Sequence, residues 1–402
     1  MVASLGGQHR PAAITKAGNG DIQVLFPRRC PALGVAEAIK ASCAIGRPGF
    51  FVDMANLRRR LTVTTEVAAE YGVRVLYAVK SCGNDEILRA AAGLGVGFDI
   101  SNNEEFEIVA SRVGGRPFVS LTSPGLAKEQ RERVCRMIRT GDIARFYCDS
   151  LRQLGDFCGL LRGSEVGIRV NLNGEAITDG VPVYAPSRFG VRLNELKAAR
   201  DIAASAGCRL RWIHLHNASE FNERSSFVTA ARLMLKRSHE AGIDVAALDL
   251  GGGLREPADE RSLGDFFGAL RSVIPDHVEL ILEPGHFWLS ECGYLSAQVL
   301  DVKAFDTYLV LVTDCGALNH LQWSYPELPV LGPIARGDRR PYLMCGRTCF
   351  ERDVVGQIAP SPGYPAPLID DWLVLGEVSG YSAELGSSFN GVPARAPILL
   401  PG

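Results

Sequence analysis

The chain has no long uninterrupted apolar run, and none approaches the roughly 20 residues of a membrane-spanning helix. A membrane role is therefore not expected. It has no excess of either charge. Lys plus Arg number 43 and Asp plus Glu 45, a net charge of -2. That balance gives no reason to expect a nucleic-acid surface, and no charge block marks a disordered tail. The first residues, MVASLGGQHRPAAITKAGNG, carry no apolar stretch after their charges, so no secretory signal is expected. CxxC pairs are missing. The 11 cysteines are odd in number and scattered. Cys345 and Cys349 stand four apart, but no second pair or histidine follows at zinc-ligand spacing, so no metal is expected. Reduced, mostly buried thiols in a cytoplasmic protein are the expectation.

What is present is a globular composition, 47% apolar and 22% charged over 402 residues. The length fits two domains, or one large barrel with an appendage. From about residue 50, short β-branched or aromatic runs alternate with stretches of helical period. The runs are VLYAVK, VGFDI, PFVSLT, ARFYC, VGIRVNL, LRWIHLH, VAALDL and VELILEP. Between them, NDEILRAAAGLG offers Asn84 as an N-cap with Asp85 and Glu86 in the first turn. SSFVTAARLMLKRSHEAG carries an apolar face and stops at Gly242. Eight such alternations predict an α/β fold, a (β/α)8 barrel over residues 46–295. An open doubly wound sheet is the alternative. The strand ends decide between them: Lys80, Asp99, Asp149, Arg169, His216, Gly251 to Gly253 and Glu283 are reactive, charged or glycine. A barrel brings those ends to one mouth, whereas an open sheet strings them along a line. After residue 295, strand-like runs separated by Pro- and Gly-rich turns predict a C-terminal all-β domain, 296–402. Residues 1–45 contain one apolar burst, IQVLF, expected to add a strand to that domain.

Several groups suggest chemistry. Lys80 follows a buried run, where desolvation lowers an amine's pKa and makes it nucleophilic, as Schiff-base lysines require. Three consecutive glycines after LDL leave main-chain N–H groups unshielded, which suits a phosphate; a tight turn would need only one or two. No Walker lysine accompanies them. Glu283, in LEPGHFW, is a potential acid, base or partner to a cationic ring nitrogen. HLHNAS places His216 and Ser219 at another strand end. A reactive lysine, a phosphate cradle, a histidine and a carboxylate are the parts that a pyridoxal 5'-phosphate site needs.

On these residues the chain resembles the fold-type III pyridoxal-phosphate decarboxylases of the ornithine, diaminopimelate and carboxynorspermidine decarboxylase family. The matching blocks run in order from FFVDMANLRRRL to SSFNG. The resemblance implies a barrel of the alanine-racemase type plus a β-domain. YAVKS implies Lys80 as the Schiff-base lysine. FDIS and IRVN imply Asp99 and Arg169 beside the cofactor. HLHNAS implies His216 stacked on the ring and Ser219 on the phosphate. GGG implies Gly251, Gly252 and Gly253 at the phosphate, and EPG implies Glu283 at the pyridine nitrogen. CGRTCFERDVV implies Cys349 as the reprotonating acid, contributed across a homodimer interface. SGYSAELGSSFNG implies Tyr381 at the phosphate.

The departures are specific. His286 stands where the family usually has an arginine at the phosphate or a substrate carboxylate. Phe350 follows the cysteine where Asp or Glu usually recognises a distal amine. The loop LNHLQWSYPELP, with Trp323, lacks the Arg-Pro pair expected for diaminopimelate. A phenylalanine cannot pair with an ammonium as a carboxylate does. Trp323 and Phe350 are therefore read as substrate contacts, and plain ornithine or diaminopimelate is not expected as the substrate. A polyamine-like substrate, as for carboxynorspermidine decarboxylases, or an amino-acid unit on a larger metabolite remains open. The alternatives are an amino-acid racemase of the same fold, which would use a tyrosine opposite the lysine, and a non-catalytic cofactor-binding homologue.

Overall fold

A computed structural model describes residues 22–172, 187–216 and 224–401. The chain divides into two compact units. One spans Ala55–Trp288, and the other combines the residues up to Met54 with those from Leu289 onward.

The first unit is a closed barrel of eight parallel strands: β1 Val73–Ala78, β2 Gly97–Ile100, β3 Val119–Ser123, β4 Arg145–Cys148, β5 Glu165–Asn171, β6 Arg209–Leu215, β7 Ala247–Asp249 and β8 Glu279–Leu282. Each pairs with its sequence neighbour, and β8 closes on β1. The strands are almost wholly buried, as parallel strands covered on both faces must be, which is why they read as continuous apolar runs. Helices follow the strands where the sequence predicts them. Asp85–Gly93 is capped by the Asn84 side chain, which accepts from the N–H groups of Glu86 and Ile87. The helix Arg224–Glu240 ends just before Gly242, at φ +71°.

Strand alternation sorts the barrel interior into layers. At the bottom, Glu279 accepts from Arg74 at 2.7 Å and from Arg145 at 2.6 Å. The two guanidiniums lie over the Phe118 and Trp212 rings. Leu76, Tyr147, Trp212, Ala247 and Ile281 form the apolar layer above. Two residues further along the same strands come Ala78, Asp149, His214, Asp249 and Glu283, so polar groups begin where the apolar plug ends. Truncating Leu76, which has no exposed surface, would cost about 2–5 kcal/mol.

In the other unit, the twelve-residue strand Gly293–Ala304 is the spine. It pairs antiparallel with Phe50–Asp53, with Trp372–Leu375 and, further along, with Leu309–Thr313. Leu309–Thr313 continues to Tyr342–Gly346 and then Val354–Ile358. Val24–Leu25 adds parallel to Trp372–Leu375, and Pro397–Leu400 adds parallel to Phe50–Asp53. The helix Leu33–Ala44 buries Val35, Ile39 and Cys43 against Phe51, Trp372 and Val374. Among the described residues, no helix is long and apolar enough to cross a membrane.

Candidate active site

The C-terminal ends of the barrel strands bring together Lys80, Asp99, Arg169, His216, Gly251, Gly252 and Glu283. Lys80 lies just beyond β1, in a one-turn 3-10 helix, Val79–Ser81. The run VLYAVK therefore stops being a strand two residues before the lysine. That turn carries the amine over the barrel mouth, where its Nζ meets Asp99 Oδ2 at 2.5 Å. Asp99 is the penultimate residue of β2 and is 1% exposed. Burial and the Glu283 charge push its carboxyl up to about 8, and the Lys80 ammonium works against both. Arg169, on β5, lies 3.6 Å from Asp149 and donates to the His216 carbonyl at 3.2 Å.

Glu283 follows β8 and is 1% exposed. Its Oε2 lies 3.4 Å from His214 Nε2 and 3.4 Å from His216 Nδ1. Burial alone would raise this carboxyl. His214, His216 and the Lys80 charge outweigh it and hold Glu283 well below the ordinary range. Both imidazoles are neutral at physiological pH, because burial lowers them despite the carboxylate; His216 falls to about 4. His286, just past β8, also falls to about 4, through burial and the charges of Arg255 and Arg60. It therefore offers no positive charge at neutral pH where an arginine would.

The glycine turn packs directly on this group. Gly251 has φ +65° and donates to Asp249 Oδ1 at 2.9 Å, while its carbonyl accepts the Glu283 N–H at 2.8 Å. A Cβ at Gly251 would meet Leu215 O at 2.7 Å and His216 Cα at 2.9 Å; one at Gly252 would meet Glu283 O at 2.8 Å. Both neighbours are backbone and cannot yield. Gly251→Ala should lower cofactor affinity by at least ~10-fold, since the left-handed backbone and the clash add up to more than roughly 1–2 kcal/mol. Titrating apoprotein with the cofactor checks this. Gly34→Ala, with nothing within 4 Å, is the control.

The residues fit a pyridoxal ring. Glu283 Oε1 is buried and accepts no hydrogen bond among the described residues, and a protonated pyridine nitrogen is the donor that it lacks. Ser219 lies outside the described residues. His214 and Asp249 went unremarked in the sequence, although alternation was the available signal: His214 shares a strand face with His216, and Asp249 shares one with Gly251. Histidine 214 stands inside the quoted HLHNAS block.

Cys349, Trp323, Phe350 and Tyr381 lie on the other unit. Cys349 is exposed, and its N–H donates to Asn390 Oδ1 at 3.0 Å. The loop bearing Asn390 is clamped by Asn319, whose Nδ2 donates to the carbonyls of Ser387, Phe389 and Val392. The Phe350 ring lies edge-on to Phe389 at 6.4 Å, and Trp323 packs on Tyr381 at 5.3 Å. Phe350 is 43% and Trp323 68% exposed. Asp353, three residues after Phe350, is already engaged, accepting from Leu318 N and Thr348 Oγ1.

A parallel barrel with a lysine, an acidic pair and a glycine turn at its mouth defines a fold-type III pyridoxal-phosphate enzyme. Residues 54–290, more than half of the chain, match the family model for the pyridoxal binding domain of the pyridoxal-dependent decarboxylases, and the chain belongs to that family. It is a pyridoxal-phosphate-dependent carboxy-lyase. It is similar to the diaminopimelate decarboxylase of Haemophilus influenzae, 25% identical over 89% of this chain and 89% of the relative. It is also similar to the lysine/ornithine decarboxylase of Selenomonas ruminantium, 25% identical over 79% and 81%. Among solved structures, the Paramecium bursaria Chlorella virus arginine decarboxylase superposes with a TM-score of 0.74 at 18% identity, over 91% of this chain and all of that one.

Proposed function

We propose that the protein decarboxylates an amino acid, or an amino-acid unit of a larger metabolite, whose distal end carries no ammonium, releasing carbon dioxide and an amine. When bound, pyridoxal phosphate supplies the electron-withdrawing ring that accepts the pair left by the departing carboxylate. The chain's residues do the rest. Lys80 holds the cofactor through its amine and is released to act as a base or acid. Asp99 holds that amine in place through its contact at 2.5 Å. Glu283, ionised and buried, would keep the ring nitrogen protonated. His216 would lie against the ring, and Gly251 to Gly253, Ser219 and Tyr381 would hold the phosphate. His286 would reach the same phosphate as a neutral donor. Cys349, from the partner subunit of a homodimer, would return the proton to the substrate carbon; its exposure on its own unit supports that role. The eleven free cysteines, most of them buried, support a reducing compartment, the cytoplasm.

One observation carries the substrate reading. Phe350, directly after Cys349, packs on Phe389, Trp323 packs on Tyr381, and the position where the resemblance implies a carboxylate holds Phe350. Losing a charge-assisted hydrogen bond to an ammonium forfeits about 1.5–3 kcal/mol, or roughly 10- to 100-fold in kcat/KM. Carbon dioxide release across amino acids with neutral, aromatic, cationic and zwitterionic distal ends tests this. Neutral or aromatic ends should lead, and Phe350→Asp should shift preference toward ornithine or lysine by at least ~10-fold. Diaminopimelate or ornithine as the best substrate of the unaltered protein would refute the reading.

A further inference from the structure

The proposed chemistry leaves two buried groups at the barrel mouth without a task. His214 is 1% exposed and Asp249 has no exposed surface. They flank Glu283 from the two strands that precede it in the barrel. His214 Nε2 is 3.4 Å from Glu283 Oε2. Asp249 and Glu283 are both tied to Gly251, one through its N–H at 2.9 Å and the other through its carbonyl at 2.8 Å. Because that carbonyl takes the main-chain N–H of Glu283, the glycine holds the two residues side by side at the ends of adjacent strands, and their carboxyls act on each other. Asp249 Oδ2, Glu283 Oε1 and both ring nitrogens of His214 have no hydrogen-bond partner among the described residues.

Two carboxylates buried side by side cannot both stay ionised. Cations and donors sort them. Glu283 faces His214, His216, Lys80 and Arg169, whereas among the described residues the Asp249 carboxyl accepts from the Gly251 N–H alone. The charge therefore belongs on Glu283 and the proton on Asp249. Asp99 and the Tyr147 hydroxyl complete the titratable surroundings; the Tyr147 ring lies 4.9 Å from His214. We infer that His214 and Asp249 are positioning residues for Glu283: an imidazole nitrogen 3.4 Å from one carboxylate oxygen and a carboxyl on the adjacent strand end are polar groups packed on it, and they fix its orientation and keep its negative charge in place for the ring nitrogen. This rests on the reading of Glu283 as the partner of that nitrogen.

The test uses cofactor-loaded protein and reads the visible spectrum of the bound cofactor against pH, alongside kcat and KM. His214→Leu and Asp249→Ala should each displace the spectral titration by a unit or more in pH and lower kcat at least ~10-fold with KM little changed. His214→Gln and Asp249→Asn keep a donor without a charge and should recover most of both. Asp249→Asn behaving like Asp249→Ala, or His214→Gln like His214→Leu, would overturn the inference; if the apolar variants do not load cofactor, the amide variants decide in the same way against the unaltered protein. Glu283→Gln separates the two layers. An unchanged spectrum there overturns the reading beneath. A displaced spectrum there, with unchanged spectra in His214→Leu and Asp249→Ala, overturns this inference alone.

Discussion

Replacing Lys80 by alanine should abolish the visible absorption of covalently held cofactor and lower carbon dioxide release by roughly 10³-fold or more. The expectation follows from position. The turn after β1 places Nζ on Asp99 at 2.5 Å. Among the groups whose charges act on Glu283 across the mouth, Lys80 is the one amine. No other lysine is among the residues described at the barrel mouth, so nothing there replaces it. Removing it also leaves Asp99, nearly inaccessible, without the cation that works against burial, and its carboxyl should then rise further. Cys349→Ala should keep the absorption band and slow turnover. Mixing the two variants then tests the shared site: a mixed dimer keeps one intact site of two, so random mixing should recover up to about a quarter of full activity. A persisting band in Lys80→Ala, or no recovery on mixing, would remove the lysine assignment or the shared site respectively.

Glu283→Gln should lower kcat by about 10²–10³-fold, roughly 2.7–4 kcal/mol of transition-state stabilisation, with cofactor still bound. The substitution preserves volume, removes the charge and exchanges one acceptor oxygen for an amide donor. Negative charge is what a protonated ring nitrogen needs nearby, and the protein maintains it against burial through His214, His216 and Lys80. Because burial and the Glu283 charge together raise Asp249, removing that charge should lower Asp249 and let it ionise more readily. Asp249 then remains as an acidic group beside the lost charge, and Glu283→Gln combined with Asp249→Asn should fall below either single change. Single-turnover measurement of carbon dioxide release separates this loss from product release. Retention of most of the kcat in Glu283→Gln would show that the ring nitrogen needs no charged partner here.

Much of this architecture is legible in one dimension because periodicity is local. A buried parallel strand must be apolar on both faces, so VLYAVK and VELILEP announce themselves, and Asn84 must cap its helix because its side chain reaches its own N–H groups. The polar strand ends were readable too, since a barrel has only one place to put them. Other features were not. His214 looks like any strand residue until two neighbouring strands bring Glu283 to 3.4 Å. Asp249 looks like an ordinary acid before a turn until Gly251 bonds both its carboxyl and the main chain of Glu283. His286 reads as a possible cation until burial and two arginines keep it neutral.

By itself the sequence determined the alternation of strand and helix, the change to β-structure toward the C-terminus, and the reactive residue types at the strand ends, because each is written within a few residues of itself. Only the tertiary structure decided which of those groups are charged and which oxygen is left for a ligand. Protonation depends on burial and on charges within a few ångströms, and residues 80, 99, 214, 249 and 283 acquire those neighbours only when the barrel closes.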